Sequence, residues 1–180
     1  MIPAATSILF VCTGNAGRSQ MAQALAREQL GDEVVVESAG VAPWDALHPV
    51  ALSLMESRGT GMEGHRPKSV SSVESRDFDI VVTIGDPARS RLPKAVFSSS
   101  YWIHWNIDDP ADADGTPDSE PTFRKALDRI EAGLNELRGV LPTLPRLRGF
   151  ENLPGIGTGL WARQRFEPAG HLPLIQAAGF

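Results

Sequence analysis

The run Ser7-Ile8-Leu9-Phe10-Val11 ends at Cys12-Thr13-Gly14-Asn15-Ala16-Gly17-Arg18-Ser19, and a stretch rich in Ala, Gln and Leu then continues to Leu30. The first run reads as a buried strand and Ser19–Leu30 as a helix. The tight, Gly-containing turn between them constrains the chain more than any other segment. A strand, a short loop and a helix N-terminus together make a place to hold a tetrahedral oxyanion. Successive N–H groups of Thr13, Gly14, Asn15, Ala16, Gly17, Arg18 and Ser19 can converge on it, and the helix end adds partial positive charge. The same field favours a thiolate at Cys12, the reactive form of cysteine. Arg18 can grip two oxygens with its planar fork.

The elements that follow alternate. Val34–Ser38 reads as a second strand, Pro49–Arg58 as a helix with Ala51, Leu52, Leu54 and Met55 on its apolar face, and Asp79–Thr83 as a third strand. Ala95-Val96-Phe97 and Ile103-His104-Trp105 are candidates near a fourth strand. Glu120–Leu137 reads as a long helix, since Phe123, Leu127, Ile130, Leu134 and Leu137 recur at three- and four-residue steps. This alternation argues for an α/β fold with three layers, a parallel sheet covered on both faces by helices. In such sheets ligands sit at the carboxyl ends of the strands, where Cys12 falls.

The chain's 180 residues, 42% apolar and 22% charged, suit one globular domain with a real core. From Leu141 the texture changes. Prolines and glycines interrupt the chain, and Leu144, Leu147, Phe150, Trp161 and Phe166 make it too apolar for an ordinary disordered tail. Residues 1–140 are therefore read as a catalytic domain and 141–180 as an irregular C-terminal extension. The extension packs on the domain, packs on a second subunit or is not a native terminus; the sequence leaves these open.

The sequence has no run long and apolar enough for a membrane span and no charged n-region of a signal peptide, so the expected location is cytoplasmic, with no membrane partner. One cysteine excludes an intramolecular disulfide and a multi-cysteine metal site. The net charge of −5 without a basic block argues against nucleic acid as a partner.

A second candidate element is Trp105-Asn106-Ile107-Asp108-Asp109-Pro110. It follows a predicted strand, so a parallel sheet brings it to the rim that holds Cys12. Pro110 restricts Asp109 to extended geometry. A carboxylic acid aimed there can protonate a departing oxygen, and burial beside an anion favours its acid form. The same residues are equally read as the start of a loop. Ser19 either caps the helix or donates to the Cys12 sulfur; Asn15 is either a turn residue or a brace for a left-handed bend. His48 and His65 read as structural, and Asp86 as either a helix start or a pocket residue. No metal site is expected, and Gly14 and Gly17 do not form a nucleotide-binding P-loop.

Val11-Cys12-Thr13-Gly14-Asn15-Ala16-Gly17-Arg18-Ser19-Gln20-Met21-Ala22 resembles the signature of the low-molecular-weight protein tyrosine phosphatase superfamily, and its Ser-Gln-Met-Ala ending is more similar to the arsenate reductase branch. The likeness continues at Ser38-Ala39-Gly40, His48-Pro49, Gly64–Val70 and His104–Pro110, over about residues 6–140. It implies a four-stranded parallel sheet with flanking helices, Cys12 as nucleophile, Arg18 as oxyanion clamp and Asp109 as general acid. This chain departs from the branch in two places. The resolving cysteines of thioredoxin-coupled arsenate reductases are absent at Ala16-Gly17 and at Ile84-Gly85-Asp86. The tyrosines of the phosphatases are absent after Asp109-Pro110, where Ala111-Asp112-Ala113 stands.

The leading expectation is an arsenate reductase, or arsenate:thiol transferase, that binds no cofactor and uses an external thiol. Mycothiol or glutathione would take the arsenic from Cys12, and a glutaredoxin-like partner protein would finish the reduction. The alternatives are hydrolysis of aryl phosphate esters through a phosphocysteine, and an oxyanion-binding module without turnover.

Overall fold

The computed structural model describes residues 6–93 and 101–143. Four parallel strands form one sheet: β1 (Ser7–Cys12), β2 (Val35–Gly40), β3 (Ile80–Ile84) and β4 (Tyr101–Trp105), in the order β2-β1-β3-β4. Every residue of β1 is buried because it lies between β2 and β3 and is covered on both faces. Alternate side chains divide the core. Ile8, Phe10 and Cys12 join Ile80, Val82 and Ile84 against the helices α1 (Arg18–Leu30) and α4 (Ser119–Val140). Leu9, Val11 and Val81 face the opposite layer with Val70, Val73, Phe78, Ala88 and Leu92. All five periodic apolar residues of α4 are buried.

The strand order positions the site. The chain leaves β1 through α1 to reach β2 on one side, then crosses back through α2 (Pro49–Arg58) to β3 on the other. The carboxyl end of β1 is therefore the switch point, where loops diverge and leave a crevice. Helix α2 starts where His48 accepts the Val50 N–H and Pro49 occupies the first turn. It ends at Gly59, whose φ of +83° suits the left-handed cap.

Helix α2 has the bounds read from the sequence, the other elements shift by one to three residues at one end or both, and two differences go further. Leu52 of α2 is 39% exposed. The buried arc runs through Ala51, Leu54 and Met55, and at 100° per residue position 52 rotates off it. Asp86–Arg91 forms a short helix, α3, too brief to show a period in sequence. The strand candidate Ala95-Val96-Phe97 and residues 144–180 of the extension lie outside the described residues, while Ile103-His104-Trp105 lies in β4. Among the described residues no helix is long and apolar enough to cross a membrane.

Candidate active site

The segment from Cys12 to Gly17 wraps around a small cavity at the switch point. Its outward carbonyls are held by the next segment of chain. Cys12 O accepts the Val41 N–H at 3.2 Å, Thr13 O that of Ala42 at 2.9 Å, Gly14 O that of Trp44 at 2.9 Å and Ala16 O that of His48 at 2.9 Å. With the carbonyls fixed outward, the N–H groups of Gly14, Ala16 and Gly17 have no acceptor among the described residues. Gly17 is the N-cap of α1 and offers no side-chain cap, so the first amides of the helix add to the same set. Such a ring of unpartnered N–H groups at a helix start is an anion receptor.

Cys12 lines the same cavity. Its Sγ accepts the Asn15 N–H at 3.2 Å and lies 3.0 Å from Ser19 Oγ. Ser19 Oγ in turn accepts from Asn15 Nδ2 at 2.8 Å, which leaves its own hydrogen for the sulfur. Of the two roles open to Ser19 in sequence, the cap belongs to Gly17 and the contact with the sulfur is the one formed.

Asn15 has φ of +48°, the one non-glycine residue in the left-handed region among those described. Its side chain uses its full hydrogen-bonding capacity. Nδ2 donates to Ser19 Oγ and, at 2.9 Å, to Ser38 Oγ; Oδ1 accepts Gln20 Nε2 at 3.1 Å and the Lys68 N–H at 2.8 Å. Ser38 passes its hydrogen to Gln23 Oε1 at 2.6 Å. Buried glutamines on α1, unexplained by the helical pattern, are thus part of the loop's frame.

Arg18 is buried beneath the opposite wall. One guanidinium nitrogen donates to Ile107 O at 2.9 Å and the other is ion-paired with Asp109. A side chain at Gly85 would obstruct this path: a Cβ there would lie 2.6 Å from the Arg18 nitrogen, and φ at Gly85 is +84°. Gly85 was missed as a functional position; its signal was a glycine between a strand end and Asp-Pro. Asp109 caps the short 3-10 turn Pro110–Ala113, accepting the Ala111 N–H at 3.3 Å. Its side chain is 34% exposed, so it is neither as buried nor as free as the sequence suggested. It is held by the guanidinium.

Cys12, Gly14, Ala16, Gly17, Arg18 and Asp109 share the cavity with Trp44, His48, Ala111 and Phe123. His48 therefore has a place at the site beyond the structural one read from sequence. Its ring centroid lies 4.2 Å from that of Phe123 and 5.9 Å from that of Trp44, with the planes tilted. Trp44, 47% exposed, covers Gly14 so closely that a Cβ on Gly14 would lie 2.8 Å from the indole. Asp86 does not line the cavity. It opens α3 and lies 3.3 Å from His104. His65 stands apart as well, beside Arg27 at 3.3 Å; burial, then the Arg27 charge, lowers its pKa.

The family profile described as low molecular weight phosphotyrosine protein phosphatase matches residues 7–144. An arsenate reductase of Halalkalibacterium halodurans is 36% identical over 124 residues, covering 68% of this chain and 88% of that protein. The crystal structure of an arsenate reductase from Archaeoglobus fulgidus superposes with a TM-score of 0.61 at 32% identity, covering 73% of this chain and 98% of that one. A thioredoxin-dependent arsenate reductase of Corynebacterium glutamicum superposes with a TM-score of 0.63 at 25% identity, over 79% of this chain and 65% of that one.

Proposed function

The chain belongs to the low molecular weight phosphotyrosine protein phosphatase family, and from that premise we propose that it is an arsenate reductase that draws its electrons from an external thiol. The observation that carries this reading is the convergence of Cys12, Arg18 and Asp109 on one cavity floored by unpartnered N–H groups. Similarity to proteins named arsenate reductases favours arsenate as the oxyanion.

Arsenate enters the loop and draws the Arg18 fork onto its oxygens, which frees Asp109 to take up a proton. The Cys12 thiolate attacks arsenic, the opposite As–O bond breaks, and Asp109 supplies the proton with which that oxygen leaves as water. Loop amides and Arg18 hold the charge that remains. Cys12 is the only cysteine in the sequence, so the electrons come from outside. A low-molecular-weight thiol of the mycothiol or glutathione kind attacks arsenic and restores the Cys12 thiolate. A second thiol, on a glutaredoxin-like protein, then attacks the sulfur of the thiol–arsenic adduct. A disulfide forms, the S–As electron pair stays on arsenic, and arsenite is released. Two thiols are oxidised and arsenic gains two electrons. This chemistry belongs in the reducing cytoplasm, with residues 1–140 as the catalytic unit and 141–180 as an extension to it.

The single cysteine also favours a second reading. Phosphocysteine formation followed by hydrolysis needs no reductant, and the matching family profile is a phosphatase one. One experiment separates the two. Arsenate-dependent thiol oxidation is followed with glutathione–glutaredoxin and mycothiol–mycoredoxin couples, beside hydrolysis of an aryl phosphate. Arsenate turnover with at least one couple is expected. Ester hydrolysis with no arsenate reduction by either couple rejects the reductase; binding without any turnover leaves an oxyanion-binding module.

A further inference from the structure

His48 is tied to three parts of the site at once. Its backbone N–H holds Ala16 O of the loop at 2.9 Å. Its Nδ1 accepts the Val50 N–H at 3.2 Å, which leaves the proton on Nε2. Nε2 then donates to Asp114 Oδ2 at 2.7 Å. Asp114 ends the turn Pro110–Ala113 that Asp109 begins, and its other oxygen accepts from Ser119 Oγ at 2.9 Å, at the start of α4. The Asp109-bearing turn is thus pinned at its far end to a buried ring that is itself fastened to the oxyanion loop.

We propose that His48 and Asp114 are positioning residues that hold the Asp109 turn over Cys12. The inference rests on the reading of Asp109 as proton donor. The need for such a link follows from the way Asp109 is held. Its partner Arg18 is drawn away when an anion binds, and the local bond to the Ala111 N–H is long. Pro110 is buried where the turn packs on α4, but once the ion pair opens the Asp114–His48 bond is the side-chain hydrogen bond that ties the turn to the loop. The bond from His48 holds the Asp114 carboxyl below the usual carboxylate range, opposed by slight burial and aided by Ser119. The carboxylate therefore stays ionised through the neutral range.

The test is a double-mutant cycle in the full chain, using whichever substrate the assay above turns over. Asp114→Ala should lower kcat about 10- to 10²-fold with KM changed less than about twofold, because misplacing a proton donor affects the chemical step. Asp114→Asn keeps an acceptor for His48 and an amide for Ser119 Oγ, and should restore most of the rate. In an Asp109→Asn background, Asp114→Ala should cost almost nothing more, because the group it positions is gone. An additive loss in that background, or no rescue by Asn, overturns the proposal. If Asp109→Asn alone leaves kcat unchanged, the donor reading itself fails, a different outcome from additivity. Hydrogen exchange supplies a readout independent of activity: Asp114→Ala should speed exchange at Ala111 and Asp112 and leave Asn15 protected. Unchanged exchange in the turn overturns the proposal as well.

Discussion

Asn15 braces the loop from behind, Asp109 borders the cavity that the loop encloses, and the two are held by opposite means. Asn15 is fully buried, and its amide makes four hydrogen bonds to β2, α1 and the backbone at Lys68. Asp109 is one-third exposed and relies on a cation and one long bond to its own turn. The wall proposed to receive the anion is braced throughout, which keeps its N–H groups pointed inward with nothing bound. In the proposed reaction the wall that handles the proton exchanges partners, because Arg18 cannot serve both Asp109 and an oxyanion. Rigidity is built where charge is received, and looseness where a proton moves.

The largest expected effect tests whether the rigid wall depends on the sulfur. Cys12→Ser leaves a hydrogen-bonding oxygen facing Ser19 and the Asn15 N–H, so the loop keeps its shape while thiolate chemistry ends. Activity should fall by a factor on the order of 10⁶, as when a nucleophile is removed, with inorganic phosphate still binding. Retained turnover defeats the nucleophile assignment; lost phosphate binding shows that the sulfur organises the loop.

The comparison predicts a split in stability as well. Asn15→Ala strands Ser38, Gln20 and the Lys68 N–H without their buried partner and puts a side chain less tolerant of positive φ at +48°. About 1–3 kcal/mol should be lost, read as a lower urea midpoint. Asp109→Asn, one-third exposed and still offering an oxygen to Arg18, should cost less, about 1 kcal/mol. Equal losses in the two variants erase the distinction between the walls.

The same asymmetry decides what the sequence could reveal. The loop after β1 was legible because its groups are consecutive in the chain: Gly14, Ala16 and Gly17 bring their own amides. Asp109 could be placed because a parallel sheet delivers all its strand ends to one rim. The bracing was not legible, because each bond joins residues far apart in the chain. Asn15 reaches Ser38 across 23 positions and Lys68 across 53, and His48 reaches Asp114 across 66. Polar side chains such as Gln20, Gln23 and Ser38 carry no periodic signal that marks them as buried. The Arg18–Asp109 pair was hidden for a related reason: both residues were assigned to a ligand, and the bond they form with each other follows from the fold.

The smallest expected effect concerns the outer support of the rigid wall. Glu37, on β2, is bound by Lys68 Nζ at 2.7 Å and by Arg76, and Lys68 belongs to the segment whose backbone holds Asn15. Burial works to raise the Glu37 carboxyl, but the hydrogen bonds and charges of Lys68 and Arg76 outweigh it and leave it below its usual value of 4.5. A carboxylate whose folded pKa is depressed contributes stability in full above its unfolded pKa and loses it as pH falls through the folded one. Glu37→Gln should therefore cost a constant amount above about pH 5, on the order of 1 kcal/mol since both cations are partly exposed. The gap from the parent should close progressively below pH 4.5. Urea midpoints measured from pH 7 to pH 3 check this. A gap that instead widens on acidification means that Glu37 is not the paired anion, and the bracing of Asn15 must then rest on its hydrogen bonds alone.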